Sequence, residues 1–239
     1  EYVTLEGFEF KNSSVTKANV DNFAVTAVNA KNVEFKNLTV DNCVGSGISL
    51  SGYNSKITGC NVYNMGGRGI ILSGGVVSAL IPGNSIAENN YTYSLSEYKS
   101  PHSSGNYISG VGNAMVNNVF HGSAGSLLSF GGVSCRIENN EFYNGTIETK
   151  DSGLVYHMGK FNCYGNVFQY NYFHGCNRPN DSAEGGTAMN NALYWDNLLS
   201  GQTAKHNIFK INDPVNRALL SSGRDNIFDE NTVIGGAEV

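Results

Sequence analysis

The sequence predicts an all-β protein in which a single parallel β-helix of about eight coils accounts for the whole chain. Charged residues make up 15% of its 239 residues, well below the roughly 25% of an average globular protein. Glycine is abundant, with 29 residues, and asparagine recurs at regular places. Both residue types weaken helix interiors, so the composition disfavours helices. A short motif centred on asparagine also repeats along the chain, as in stacked-repeat proteins.

The repeated motif has an apolar residue, three variable residues, an asparagine, one variable residue, and an aromatic or aliphatic residue. Its copies are VEFKNLTV (33–40), ITGCNVY (57–63), IAENNYTY (86–93), MVNNVFH (115–121), IENNEFY (137–143), VFQYNYFH (167–174), AKHNIFK (204–210) and IFDENTVI (227–234). GFEF (7–10) could belong to one further coil. Asparagines at one phase of a coil can hydrogen-bond to each other and tolerate left-handed backbone. The expected ladder is Asn37, Asn61, Asn90, Asn118, Asn140, Asn171, Asn207 and Asn231.

Second strands lie between these motifs, and each follows a small residue. They are GISLSG (47–52), GIILSGG (69–75), the poorer YISGVG (107–112), SLLSFGG (126–132), GLVYHMG (153–159), ALYWDN (192–197) and ALLSSGR (218–224). A unit of 22 to 36 residues cannot bury its apolar face alone, but stacked units can. The missing LxxLxL pattern excludes a leucine-rich repeat, and the absence of four strands per unit excludes a propeller. A two-sheet sandwich is the alternative, but it does not explain why asparagine recurs at the same position of each repeat.

Residues 1–239 are expected to form one domain. The opening EYVTLEG has no initiator methionine, which indicates a piece of a longer chain. The formal net charge is −5, and no basic run of five or more residues occurs, so nucleic acid is not an expected partner. No apolar run approaches the ~20 residues of a membrane span, so a membrane is not an expected partner either.

The five cysteines include no CxxC pair, which disfavours a zinc site, and their odd number disfavours a complete disulfide framework. We expect buried thiols, with a Cys163–Cys176 bond as the alternative. No metal and no cofactor are expected. Five Asn-x-Ser/Thr sequons favour a secreted or extracellular protein. They lie at Asn12, Asn37, Asn90, Asn144 and Asn180.

Aligning the second strands by their small first residue assigns alternate residues to the core and to solvent. The residues assigned to the core are Ile48, Leu50, Ile70, Leu72, Leu154, Tyr156, Leu193 and Trp195. Those assigned to solvent are Ser49, Ser51, Ile71, Ser73, Leu128, Phe130, Val155, His157, Tyr194, Asp196, Leu220 and Ser222. His157 and Asp196 should therefore lie side by side on one outer face. His121 and His174 follow the asparagine motif and are expected to form a structural column.

Asp151 and Asp196 are the candidate catalytic residues. Asp196 ends the aromatic strand ALYWD, and Asp151 lies with Glu148 at the turn before GLVYH. Two carboxylates on an open face suit hydrolysis of a glycosidic bond. One protonates the leaving oxygen, and the other acts as nucleophile or activates water. The simpler interpretation is that both aspartates only form turns.

Supporting roles are expected for His157, Glu148 and Arg224. His157 could hydrogen-bond Asp196 and tune it, or it could be an ordinary surface histidine. Arg224 follows the last second strand, where it could simply pair with Asp225. Tyr194 and Phe130, both assigned to the outer face, are candidate stacking surfaces for sugar rings.

Several segments resemble the right-handed parallel β-helix repeat proteins, and among them a group related to β-helix glycoside hydrolases. The segments are SGYNSKITGCNVYNMGGRGIILSGG, ISGVGNAMVNN, ETKDSGLVY, ALYWDNLLSG and GRDNIFDEN. The likeness extends from about residue 3 to residue 235 and implies a right-handed helix. In the group, acids of a D-S/A-G-A-x-Y segment and of a Y-x-D-D segment lie on the functional face. Asp151 matches the first segment and Asp196 the first Asp of the second.

The sequence departs from that group at three places. Asn197 stands where a second Asp is usual, SAGSLLSF lacks a His before its strand, and HMGKFN lacks a Gly-Arg-Asp-Trp-like continuation. The resemblance thus implies a glycoside hydrolase acting on a poly- or oligosaccharide, or a structural member without activity.

Two further functions remain open. A polysaccharide lyase would use His157 or Arg224 as its base and usually Ca²⁺, although acidic clusters are too sparse for an obvious Ca²⁺ site. A non-catalytic structural or glycan-binding solenoid could self-associate end to end through uncapped terminal coils.

Overall fold

The structure is a computed structural model that describes residues 2–13, 22–98, 103–177 and 189–236. Three long parallel sheets run through this part of the chain. The first sheet contains β1 (Val3–Glu6), β4 (Val33–Lys36), β7 (Lys56–Thr58), β12 (Ile86–Glu88), β15 (Ala114–Val116), β18 (Arg136–Glu138), β21 (Val167–Gln169), β24 (Thr203–Lys205) and β27 (Ile227–Asp229). The second contains β2 (Glu9–Lys11), β5 (Thr39–Cys43), β8 (Asn61–Met65), β13 (Tyr91–Tyr93), β16 (Val119–His121), β19 (Glu141–Gly145), β22 (Tyr172–Cys176), β25 (Ile208–Ile211) and β28 (Thr232–Gly235).

The third sheet carries the site described below. It contains β3 (Phe23–Lys31), β6 (Ser46–Tyr53), β9 (Ile70–Ser73), β14 (Asn106–Ile108), β17 (Leu128–Phe130), β20 (Ser152–Met158), β23 (Asn190–Asp196) and β26 (Arg217–Ser221). After β9, an antiparallel hairpin of β10 (Gly75–Val76) and β11 (Ile81–Pro82) encloses a 3₁₀ turn at Val77–Ala79.

Each coil of the molecule contributes one strand to each sheet in turn. The first and second sheets have nine strands and the third has eight within the described residues, so the prediction of a right-handed parallel β-helix of about eight coils is confirmed. The additional coil comes from the N-terminal region, where GFEF leads into β2. Parallel pairing stacks equivalent residues of successive coils directly on one another, with a register shift between Ala27 and Ala30 where β3 pairs with β6.

Apolar side chains of the three sheets meet along the axis of the helix. Phe120, Phe142, Phe173 and Phe209 are buried and form a stacked column, with successive ring centroids 5.1, 4.9 and 4.7 Å apart. Burial of one such side chain stabilises the fold by about 2–3 kcal/mol. Repetition of this gain from coil to coil explains how units too small to fold alone form a continuous core.

An asparagine ladder marks the bend between the first and second sheets. In each step the backbone N–H and the Nδ2 of one asparagine both donate to the Oδ1 of the next, at 2.9–3.0 Å. The ladder consists of Asn90, Asn118, Asn140, Asn171, Asn207 and Asn231. Because all but the last are almost fully buried, the ladder satisfies backbone donors that water cannot reach.

The prediction that Asn37 and Asn61 belong to this ladder is wrong. Asn37 has a φ of 52° and occupies the left-handed position that precedes the ladder position by one residue. Asn61 follows the ladder position of its own coil and is an exposed residue at the start of β8. In the coil of Asn61 the ladder position is held by Cys60, whose N–H donates to Asn90 Oδ1 at 2.9 Å. The sequence motif could not distinguish the ladder position from its neighbours, because asparagine suits both a left-handed bend and the ladder itself.

The expected histidine column exists on the outer surface of the second sheet. Five rings stack there with interplanar angles of 5–7° and centroid separations of 4.5–5.1 Å. They belong to Tyr63, Tyr93, His121, Tyr143 and His174. Because each inner ring is covered on both faces by its neighbours, the column offers edges rather than open ring faces to a ligand.

All five cysteines are buried and unpaired, as predicted from the sequence. The alternative, a Cys163–Cys176 disulfide bond, is therefore not formed. The sequon at Asn90 lies within the buried ladder, which leaves its side chain inaccessible to a modifying enzyme. The sequon at Asn180 lies outside the described residues. Within the described ranges, no helix is long and apolar enough to cross a membrane.

Candidate functional site

The candidate site lies on the outer face of the third sheet, where β20 of the sixth coil pairs with β23 of the seventh. The register places Tyr156 beside Tyr194, and Met158 beside Asp196. These four side chains point away from the core, because the alternate residues of each strand face inward. Trp195 is one of those inward residues and is fully buried, as the sequence predicted. Tyr194 points outward but is nevertheless only 8% exposed, so the prediction that it offers an open stacking surface to a sugar ring is wrong.

The predicted position of His157 beside Asp196 on the outer face is wrong. His157 pairs with Trp195 and is only 7% exposed. The sequence alignment matched Gly153 with Ala192, whereas the structure aligns Gly153 with Asn191. A slip of one residue exchanges the two faces of a strand.

The same slip misplaced Tyr156, Val155, Phe130 and Leu128, the last of which is fully buried. Tyr156 lies on the outer face and Val155 in the core, the reverse of the prediction. Phe130 is fully buried, with its ring centroid 5.2 Å from that of His157. Phe130 therefore cannot be a stacking surface for a sugar, and the prediction of that role is wrong.

Asp151, Tyr156, Tyr194 and Asp196 form what we call the carboxylate–tyrosine cluster. The Tyr156 hydroxyl donates to Asp196 Oδ2 at 3.1 Å, and the Tyr194 hydroxyl donates to Asp151 Oδ1 at 3.3 Å. The two tyrosine ring centroids are 5.2 Å apart, and the rings are inclined by 49°. Thus two aspartates 45 positions apart in the sequence are joined through two neighbouring phenols.

The two aspartates occupy bends at opposite ends of the strands. Asp151 has a φ of 52° and immediately precedes β20, while Asp196 ends β23 before the left-handed residues Asn197 and Leu198. Asp196 also accepts hydrogen bonds from the backbone N–H and the Nδ2 of Asn197, at 2.6 and 3.4 Å. Asp196 therefore both stabilises the turn after β23 and accepts a hydrogen bond from Tyr156.

Both tyrosines are held in the protonated form. Burial raises the pKa of Tyr156, and the negative charge of Asp196 raises it further. Burial also raises the pKa of Tyr194, and both Asp151 and Asp196 contribute to that rise. At neutral pH each phenol therefore remains a hydrogen-bond donor, which orients the carboxylate that it contacts.

His157 is a polar residue in an apolar column. Its Nε2 is buried and has no hydrogen-bond partner within the described residues. Burial lowers its pKa to about 4, with a smaller contribution from the positive charge of Lys160. At neutral pH the ring is therefore neutral, and it cannot tune Asp196 in the way that the sequence suggested.

Arg224 and Glu148 lie outside the carboxylate–tyrosine cluster. Arg224 is exposed and lines a cavity of about 530 Å³ together with Asn197, which follows Asp196 in the chain. Glu148 is exposed and lines a separate cavity of about 430 Å³. Arg224 therefore borders the Asp196 side of the site, whereas Glu148 makes no hydrogen bond to the cluster in the described structure.

A further cavity, of about 260 Å³, shares Tyr156 with the cluster. Tyr156, Met158 and Lys160 line it together with Arg68 from the third coil. Tyr156 was not among the predicted site residues because of the strand slip, although the shared Tyr of LVYH and LYWD was a usable signal. Arg68 was not among them either, because only the folded coils bring this residue to the same cavity as Tyr156 of β20.

No three histidine, cysteine, aspartate or glutamate side chains gather as a metal-binding group in the part of the chain that the structure describes. The absence of a cofactor stays a prediction.

A comparison with family profiles supports the architecture. The profile of a family described as a right-handed beta helix region matches residues 2–108. No curated protein matches the sequence. A similar solved structure is a GH136 lacto-N-biosidase from Eubacterium ramulus, with 12% sequence identity and a TM-score of 0.40. The alignment covers 89% of this chain and 51% of that one, so the chain spans about half of that enzyme's length.

Proposed function

We propose that this right-handed parallel β-helix is a carbohydrate-active enzyme, a glycoside hydrolase that cleaves a poly- or oligosaccharide with Asp151 and Asp196. The observation that supports this most strongly is the convergence of the two carboxylates on Tyr156 and Tyr194. Two cavities lie near the cluster, one lined by Asn197 next to Asp196 and the other by Tyr156, and they offer room for neighbouring sugar units of a glycan. Action on such a polymer fits a secreted protein, and secretion is part of the proposal.

The environments of the two aspartates favour different roles. Asp196 is half-buried and accepts from Tyr156 and twice from Asn197. Such donors stabilise and orient a carboxylate, so Asp196 suits the nucleophile or the base that activates water. Asp151 is exposed and accepts from Tyr194. Because it is accessible to a leaving oxygen and Asp196 takes the other role of the pair, we assign to Asp151 the acid of the reaction.

The placement of His157 argues against one of the two candidate bases of a lyase reaction, the other being the exposed Arg224. A lyase base must reach a proton on the sugar ring. The ring of His157 packs against Phe130, and although the residue is among those that line the cavity of about 260 Å³, its Nε2 atom is buried. This nitrogen is therefore not presented to a glycan as a base.

The test measures release of reducing ends from an array of neutral and charged oligosaccharides. Asp151→Asn and Asp196→Asn should each lower kcat by about 10³-fold without changing the unfolding transition. Glu148→Gln is the matched control, because it removes a nearby exposed carboxylate that does not contact the cluster. If no glycan in the array is cleaved, or if all three variants behave alike, the proposed function is wrong.

A further inference from the structure

We propose that the site selects glycans that carry an anionic substituent, a carboxylate or a sulfate ester, which Arg68 and Lys160 bind beside the carboxylate–tyrosine cluster. This inference rests on the proposed function in one respect: it names the substrate class of the same site.

The binding place is the cavity of about 260 Å³ on the third sheet. Arg68, Ser104, Ser129, Tyr156 and Lys160 are among its lining residues. Tyr156 belongs to both this cavity and the cluster, since its hydroxyl contacts Asp196 at 3.1 Å. A glycan that passes over the cluster along the helix axis therefore reaches the cavity with a neighbouring sugar unit.

Arg68 presents a fixed positive charge to this cavity. Its Cζ atom lies 5.5 Å from the centroid of the Tyr107 ring, and such cation–π contacts hold a guanidinium in place. Its Nε is buried and has no hydrogen-bond partner within the described residues. No carboxylate of the described chain pairs with it. A planar guanidinium with free donors matches the oxygens of a carboxylate or sulfate.

Two further groups point to the same ligand chemistry. Ser104 is 3% exposed, and its Oγ finds no hydrogen-bond partner in the described ranges. A buried hydroxyl without a partner costs free energy, and an oxygen of a bound ligand would accept its hydrogen. Lys160 is an exposed second cation among the residues that line the cavity, and it too lacks an ion pair among the described residues.

Local charge outweighs net charge at this site. The chain carries a net charge of −5, but at physiological ionic strength exposed charges are screened beyond about 8 Å. An anionic group placed directly against Asp151 and Asp196 would be repelled. The cavity offers positive charge to one side of that pair, so the substituent belongs on a sugar unit next to the cleaved bond rather than at it.

The test measures binding rather than turnover, in the full chain with Asp196→Asn to prevent cleavage. Calorimetric titration would use a hyaluronan tetrasaccharide as the carboxylate probe, a carrageenan tetrasaccharide as the sulfate probe, and cellotetraose and a neutral galactan tetrasaccharide as uncharged controls. At least one charged probe should bind about tenfold tighter than both controls. Arg68→Gln should weaken that binding about 10- to 100-fold, and Arg68→Lys should weaken it less.

Arg136→Gln is the matched control, because it removes the same charge from the first sheet, where Arg136 pairs with Glu138. It should leave affinity unchanged. Thermal unfolding of each variant separates lost binding from lost folding, and Arg68→Lys retains the packing on Tyr107 if the glutamine variant unfolds. Equal binding of charged and neutral probes, equal effects at Arg68 and Arg136, or no binding of either charged probe would overturn the inference.

The two proposals can fail separately. A charged glycan that binds through Arg68 but that the wild type never cleaves refutes the hydrolase and supports the cavity. Cleavage of neutral glycans that is insensitive to Arg68→Gln refutes the cavity and leaves the aspartate pair intact.

Discussion

Replacement of His157 tests whether an unpaired imidazole in the core makes the fold sensitive to acid. His157 lies in the core beside Phe130 and Trp195, and its Nε2 has no partner among the described residues. His157→Leu removes both the unpaired nitrogen and the titration. His157→Gln removes the titration but keeps a polar group in the same place. The pair of variants therefore separates the two effects.

The expected magnitude follows from the pKa of His157. Burial lowers it to about 4 in the folded protein, against about 6.5 in the unfolded chain. As the pH falls from about 6.5 to about 4, the imidazole binds a proton in the unfolded state but not in the folded state, so the free energy of unfolding decreases. The loss is close to zero at pH 7.5, about 2 kcal/mol at pH 5, and levels off at about 3 kcal/mol below pH 4.

The assay is urea unfolding of the wild type and both variants at pH 7.5 and pH 5. Other titrating groups contribute equally to all three proteins, so only the differences matter. At pH 7.5 the leucine variant should be more stable by about 1–3 kcal/mol, because a buried unsatisfied group is removed. At pH 5 both variants should gain about 2 kcal/mol more relative to the wild type. Parallel pH dependence in all three proteins would refute the reasoning.

Three other predictions concern the ladder, the cluster and the core. Asn140→Ala should lower the free energy of unfolding by about 3 kcal/mol, because it leaves buried donors of the ladder unpaired. Asn61→Ala should change it by less than about 0.5 kcal/mol. Chemical denaturation would compare the two variants, and equal losses of stability would contradict the ladder. Tyr156→Phe should slow glycan hydrolysis about tenfold through loss of the donor to Asp196, with an unchanged unfolding curve; a rate equal to the wild type would remove Tyr156 from the mechanism. Phe173→Ala should cost about 3–5 kcal/mol by opening a cavity in the stacked column, and a denaturation midpoint close to that of the wild type would show that the column can collapse around the gap.

The sequence was sufficient for the architecture because the repeat imposes it. Apolar residues recur in each coil and ladder asparagines in most coils, and stacking is the arrangement that buries the apolar residues while it pairs the asparagines. The sequence did not predict features that change when a residue is assigned to the neighbouring position of the coil. Asn61 and Cys60 are neighbours, and only the folded bend shows that the cysteine, not the asparagine, occupies the ladder position.

The candidate site was predictable to the same degree. Asp151 and Asp196 attract attention because each stands at the end of an apolar strand, and the structure brings both to one pair of tyrosines. His157 and Phe130 were placed on the wrong face, because the small residues that open β20 and β17 do not fix where alternation begins. Whether the two aspartates perform catalysis stays a prediction that the variants above would test.

The asparagine ladder has a consequence for how the protein is made. Every hydrogen bond between its members joins residues only 22 to 36 positions apart, so no step requires distant ends of the chain to meet. Each new coil can dock on the one completed just before it as the polypeptide emerges from the ribosome or crosses an export channel. A nascent chain arrested partway should therefore already hold its earlier coils in protease-resistant form.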